Sequence, residues 1–187
     1  GKAVGLLAEA ARGCNALFVH YSSDFVFDGR KENLYSEGDA PTPLGIYGHS
    51  KLEGERLALR YPRSLVLRTS WVFGRGEQNF LYKLEKWSRQ HDKLKVVYDQ
   101  LSVPTFTEDI VTLTQAAITQ DLTGLFHLVN DDWASRYEVA RYFLKQLGRS
   151  TIVLPVPSEH FPTPAKRPFF SVLDNQKLKS ALSLSIP

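Results

Sequence analysis

Ala16-Leu17-Phe18-Val19-His20-Tyr21 is a compact apolar run that closes on three polar residues, Ser22-Ser23-Asp24. Apolar residues on both alternating faces mark a strand of the kind buried in a parallel sheet, where helices cover both sides. A second run repeats the design, with Ser64-Leu65-Val66-Leu67-Arg68 closing on Thr69-Ser70-Trp71. Between the two lie a loop over residues 28–46, rich in Gly, Pro, Asp and Glu, and a helix from about Tyr47 to Arg60, ended by Tyr61-Pro62. Strand, helix and strand in that order predict an α/β fold with a mainly parallel sheet. Ligands of such sheets bind beyond the carboxyl ends of the strands. Both polar clusters are therefore expected to face one crevice.

Outward from this unit the alternation continues. Residues 3–12 read as the end of an amphipathic helix stopped by Gly13, and Asn79 to about Gln90 has helical periodicity. Leu94 to Tyr98 and Gly124 to Val129 read as strands. Between them Glu108 to Ile118 is a helix with acidic residues in its first turn, where the helix dipole favours them. Ser135-Arg136-Tyr137-Glu138 has capping-box spacing and opens a helix to Leu147, with Gly148 at its end. A strand from Thr151 to Val156, a Pro-rich loop over 157–168 and a short helix from Asn175 to Leu182 follow. These last pieces predict a small lobe packed on the sheet edge.

Composition narrows the class. With 43% hydrophobic and 23% charged residues in 187, the chain is an ordinary globular protein of one domain, or one plus a small satellite. A formal net charge of +3, with bases scattered among acids, gives no footprint for nucleic acid. No apolar stretch is long enough to span a bilayer, and Glu9 and Arg12 interrupt any signal-peptide pattern, so no membrane partner is expected. Cys14 stands alone and reads as a small, partly buried residue in a reducing, cytoplasmic setting.

Chemistry concentrates at Tyr47-Gly48-His49-Ser50-Lys51. Residues four apart lie on one helical face, one above the other. An ammonium beside a phenol favours the phenolate, so such a pair can serve as a tuned general acid. Ser23, at the end of the first strand, can bring a second hydroxyl to the same carbonyl oxygen, giving a small oxyanion-stabilising site. A nicotinamide on the other side of the carbonyl carbon would complete a reduction. Taken alone, Tyr-x-x-x-Lys is a weak signal, more often a core aromatic followed by a solvated lysine.

The surrounding residues carry a resemblance. Tyr21-Ser22-Ser23-Asp24-Phe25-Val26-Phe27-Asp28-Gly29 is similar to a segment of the dTDP-4-dehydrorhamnose reductase family, which belongs to the extended short-chain dehydrogenases/reductases. So are Tyr35-x-Glu37-x-Asp39-x-Pro41-x-Pro43-Leu44-x-x-Tyr47-Gly48-x-Ser50-Lys51-Leu52-x-Gly54-Glu55 and Arg68-Thr69-Ser70-Trp71-Val72-Phe73-Gly74. Pro104-Thr105 and Arg167-Pro168-x-x-Ser171-x-Leu173-Asp174-x-x-Lys177-Leu178 continue it, so essentially the whole chain is covered. The resemblance implies a Rossmann-like sheet and NADPH- or NADH-dependent reduction of the 4-keto group of dTDP-4-dehydrorhamnose to dTDP-L-rhamnose. It implies Tyr47 as proton donor, Lys51 as the residue holding it and the nicotinamide ribose, and Ser23 at the position where the family pattern has Thr. Tyr21 and Ser70 are implied as cofactor contacts, and Ser23, Asp24, Trp71 and Arg167 as substrate contacts, with the Arg167 fork suited to a diphosphate.

On this reading residues 1–120 are the carboxyl-terminal portion of the dinucleotide-binding domain, with the catalytic residues, and 121–187 a mixed sheet-edge and substrate-binding lobe. Neither G-x-x-G-x-x-G nor G-x-G-x-x-G occurs, and the chain has no Met. The expectation is that a Gly-rich phosphate-binding segment precedes Gly1 in the whole protein, and that residues 1–187 alone hold NAD(P)H weakly. No metal site is expected. His49, His91 and His160 lack ligand spacing, Asp131-Asp132 reads as solvated, and the Mg2+ use of some relatives finds no support in these residues. His20 and His127 are expected to be hydrogen-bonded within their strands. A homodimer is left open. A 4,6-dehydratase is disfavoured because Phe25, not a carboxylate, follows Asp24. A sugar-nucleotide C4 epimerase, another sugar-nucleotide reductase, and a non-catalytic NADP-binding subunit like methionine adenosyltransferase β remain as alternatives.

Overall fold

The computed structural model describes all 187 residues. α1 (Lys2–Gly13) leads into β1 (Phe18–Ser23), a 3-10 turn at Asp24–Val26, α2 (Ile46–Ala58), β2 (Ser64–Thr69), β3 (Val72–Phe73) and α3 (Phe80–Ser88). Then come β4 (Lys93–Val97), β5 (Leu101–Ser102), β6 (Thr105–Phe106), α4 (Thr107–Thr119) and β7 (Gly124–His127). β8 (Ala134–Ser135), α5 (Arg136–Gln146), β9 (Ile152–Val156) and α6 (Gln176–Leu182) complete the order.

The main sheet is parallel, ordered β1-β2-β7, with Ser23 opposite Thr69 and Arg68 opposite His127. β2 lies in the middle, which is why Leu65, Val66 and Leu67 are wholly buried. Alternation sends Leu65 and Leu67 to one face, where they pack with Phe126, Leu113 and Ala117 of α4, and Leu178 and Leu182 of α6. Arg68 emerges on the other face, beneath α2. There its guanidinium meets the Glu55 carboxylate in two hydrogen bonds of 2.9 and 2.7 Å, with both side chains 2% exposed. Ser22 Oγ donates to the same carboxylate at 2.5 Å, and the Arg68 guanidinium sits 5.0 Å over the Phe27 ring.

A second layer stands beside this sheet. β4 pairs with β9 in parallel, covered by α3 and α5 through Leu84, Val96, Ala140 and Leu144. The last strand therefore does not extend the main sheet. Val153 packs against this second cluster, and Pro155 confines β9 to an edge. β7 completes the main sheet after residue 121, while α3 and β4 build the second layer before it, so the two layers interleave along the chain. Two short pairings complete the strand contacts, β3 with β6 in parallel and β5 with β8 antiparallel.

Local expectations mostly hold. Ser135 and Glu138 form the capping box in full, with Ser135 Oγ accepting the Glu138 amide at 3.2 Å and the Glu138 carboxylate accepting the Ser135 amide at 2.8 Å. Gly148 takes φ +64 just past α5. His127 is buried and bonded, its Nδ1 3.0 Å from the Asp174 carbonyl and its amide donating to Glu37 at 2.8 Å. Two readings are corrected. Cys14 is exposed, because it caps α1 beyond the face that buries Ala8. His20 Nε2 is buried without a partner, facing the close-packed backbone at Gly54.

Candidate functional site

The carboxyl ends of β1 and β2 and the amino end of α2 open on one cleft of about 380 Å³. Ser22, Ser23 and Asp24 line it from the first strand, Thr69, Ser70 and Trp71 from the second, Tyr47 from α2, and Ser102 and Arg136 from the lobe side. The two polar clusters thus meet as the strand order requires.

Tyr47 is 55% exposed at the cleft mouth, and its ring meets Phe25 edge-on at 6.0 Å. Gly48 lets α2 approach this turn closely. A Cβ there would lie 2.2 Å from the Phe25 carbonyl oxygen. One helical turn on, Lys51 Nζ donates to the Tyr21 carbonyl at 2.7 Å. Partial burial pulls Lys51 below the usual ammonium range, and the Glu55 carboxylate opposes that shift. The lysine also acts on His20, whose pKa is lowered first by burial and then by that neighbouring charge.

Ser23 faces the cleft, but its hydroxyl is engaged. It donates to Asp24 Oδ1 at 3.0 Å and accepts the Phe25 amide at 3.2 Å, capping the 3-10 turn. Asp24 itself is only 3% exposed. Ser70 and Ser171 hydroxyls both donate to its Oδ2, at 3.0 and 2.6 Å. Burial raises the Asp24 pKa above the usual carboxylate range, and the three serine hydroxyls pull the other way. Ser70 is accordingly turned toward Asp24, and the Tyr21 hydroxyl is turned toward Thr114 at 2.7 Å.

Trp71 lines the cleft from a backbone with φ +34, a region that non-glycine residues rarely adopt. Its ring is 4.8 Å from the Arg136 guanidinium and 6.0 Å from the Phe80 ring. Arg167 lies off the main cleft, in an adjoining recess with Phe25, Gln100, Ser102, Arg136 and Ser171. Arg136 is the residue the sequence did not single out. Its capping-box neighbours announced only a helix start. Ser171 stood within the recognised Arg167–Leu178 block, but its bond to Asp24 had no local signal.

Elsewhere no group of three or more His, Cys, Asp or Glu side chains is gathered to hold a metal ion. No helix is long and apolar enough to cross a membrane.

A parallel sheet that delivers two polar strand ends and a Tyr-x-x-x-Lys helix to one cleft defines a Rossmann-like α/β protein of the extended short-chain dehydrogenase/reductase type. The chain belongs to the RmlD substrate binding domain family, whose profile matches residues 1–187. It is 39% identical over 196 residues to a dTDP-4-dehydrorhamnose reductase of Sinorhizobium fredii, aligning 98% of this chain with 66% of that protein. It is 34% identical over 206 residues to a protein of the same name from Burkholderia thailandensis, covering 100% of this chain and 69% of that one. The crystal structure of dTDP-4-dehydrorhamnose reductase from Bacillus anthracis in complex with NADP superposes with a TM-score of 0.93 at 30% identity, over 98% of this chain and 66% of that one. The chain therefore spans about two thirds of the length of these relatives.

Proposed function

We propose that this chain carries the proton-delivering and substrate-binding part of an NAD(P)H-dependent reductase of dTDP-4-dehydrorhamnose, forming dTDP-L-rhamnose. One observation carries the reading. Tyr47, Ser23 and Trp71 line a single cleft, with Lys51 anchored one helical turn from the tyrosine. The nicotinamide supplies the hydride to the ketone carbon. Tyr47 gives its phenolic proton to the ketone oxygen, and the Lys51 ammonium stabilises the phenolate left behind. Ser23 joins as second donor to that oxygen by turning its proton away from Asp24.

The residues fit the nicotinamide-ribose end of such a cofactor. An ammonium has three donors, and Lys51 uses one on Tyr21, leaving two for ribose hydroxyls. Tyr21, through that carbonyl, orients the lysine. Ser70 acts through Asp24, and Asp24 with Trp71 borders the sugar. The main-sheet elements serve as the cofactor side and the β4–β9 layer as the substrate side. The same reading puts the reaction in the cytoplasm, on a free sugar nucleotide, with a homodimer still open.

The test is NADPH oxidation by the full gene product with dTDP-4-dehydrorhamnose, beside Tyr47→Phe. Loss of the acid lowers the rate on the order of 10²-fold or more. An unchanged rate removes Tyr47 from the chemistry. Epimerisation without net oxidation of NADPH would favour the epimerase instead.

A further inference from the structure

Arg136 opens α5 from the second layer, yet its guanidinium serves neither half of the capping box. It is half-buried between the Trp71 ring at 4.8 Å and the Phe80 ring at 5.4 Å. No carboxylate lies within ion-pair distance of Arg136 or of Arg167. The two arginines line one recess, and Arg136 alone also lines the reaction cleft, so it stands at their junction. Burial, then the facing Arg167 charge, pull Arg136 below its usual range. Arg136 is half-buried and Arg167 exposed, so two like charges share the rim of one recess with no carboxylate between them, an arrangement that an anion would relieve. Gln100 and Ser102 add polar groups to the same walls. A ligand bringing two negative charges would balance the recess.

We propose that Arg136 is the second arm, with Arg167, of a clamp for the diphosphate of the sugar nucleotide. Its stack on Trp71 ties occupancy of that clamp to the tryptophan's place in the reaction cleft. The ligand's class rests on the reductase reading above. A guanidinium can present its N–H fork to an oxyanion while its planar face stays on an aromatic ring. Trp71 follows the central strand of the main sheet, whereas Arg136 belongs to the second layer. A bound diphosphate thus holds the two layers together across the cleft, and it steadies a tryptophan whose backbone is strained at φ +34.

The test needs neither hydride donor nor turnover. The chain has three tryptophans, so Trp87→Phe with Trp133→Phe leaves Trp71 as the only indole reporter. dTDP, inorganic pyrophosphate and NADP+ are titrated separately. The expected result is saturable binding of dTDP with a change in Trp71 emission, and weaker binding of pyrophosphate with the same change. Arg136→Gln weakens dTDP binding on the order of tenfold or more, as expected for loss of charged hydrogen bonds, and abolishes the emission change. Arg136→Lys restores part of the affinity but not the emission change, because an ammonium cannot stack as a guanidinium does.

Wild-type affinity for dTDP in Arg136→Gln overturns the proposal. So does failure of the unsubstituted chain to bind either dTDP or pyrophosphate, or an emission change driven by NADP+ and not by dTDP. Should Arg136→Gln fail to fold, an unaltered emission response in Arg136→Lys overturns it equally. Wild-type affinity in Arg136→Gln would leave the reductase reading standing, since that reading falls only on the Tyr47→Phe assay.

Discussion

Gly48→Ala places a methyl group where the fold leaves no room. The added carbon would lie 2.2 Å from the Phe25 carbonyl oxygen and 2.8 Å from Pro43 Cβ. A carbon–oxygen contact needs about 3.3 Å, so α2 and the turn after β1 must separate by roughly 1 Å. Neither obstacle is the loose end of a flexible side chain; one is backbone and the other a proline ring. Overpacking costs about 1–3 kcal/mol, and the better helix propensity of alanine returns about 1 kcal/mol of it. Melting should therefore fall by only a few degrees for a domain of this size. Turnover is more sensitive. Tyr47 immediately precedes Gly48, and Phe25 follows Ser23 by two residues, so the separation opens the distance between the two hydroxyls meant to meet one oxygen. A misplacement of about 1 Å can cost on the order of 10²-fold in rate. NADPH oxidation by the full gene product, beside a thermal melt followed by circular dichroism, reads both effects. Normal turnover in a folded Gly48→Ala protein would refute the claim that this close approach sets the Tyr47–Ser23 spacing.

Two further predictions concern the layer under the site. Glu55→Ala strands the Arg68 guanidinium in the core and should destabilise the fold by about 3–5 kcal/mol. The paired replacement Glu55→Leu with Arg68→Met should recover most of that loss in urea unfolding, and a single variant as stable as the parent would show the ion pair to be idle. His127, held at a pKa of about 3 by burial and then by the Arg68 charge, stays neutral in the folded state far below its ordinary 6.5. The unfolded chain binds the proton first as pH falls, so this stability is complete above about pH 6.5 and declines toward pH 3, by up to about 1.4 kcal/mol per pH unit. Urea midpoints at neutral and mildly acid pH should converge between the parent and His127→Asn as pH drops; parallel lines would refute the assignment.

The legible part of this protein was local. Apolar runs closing on Ser22-Ser23-Asp24 and Thr69-Ser70-Trp71 specified two strand ends, and spacing alone put Tyr47 over Lys51. Ser135 and Glu138 announced their own cap. What stayed hidden depends on partners distant in the chain. The sequence implies Asp24 as a substrate contact at a strand end, and nothing local shows that Ser70 and Ser171 fold onto it and bury it. Arg136 reads as a helix-start residue until the second layer brings it over Trp71. β9 has the pattern of any half-buried strand, and only the apolar face of α5 decides that it joins β4. Cys14 and His20 were misread for the same reason, since exposure and hydrogen bonding are settled by what packs nearby.

The hydrogen bond from Ser171 to Asp24 joins residues 147 positions apart. Residues next to Ser171 bind back too, with the Tyr35 amide on the Val172 carbonyl and the Asp174 amide on the Tyr35 carbonyl, each at 2.8 Å. At a synthesis rate of about 5–20 residues per second, roughly 7–30 s pass between translation of one partner and the other. For most of that interval the growing chain has its tyrosine and lysine but no finished pocket around them. A chain ending before Ser171 would carry the tyrosine and lysine but lack one of the hydroxyls that hold Asp24 and both backbone bonds to Tyr35.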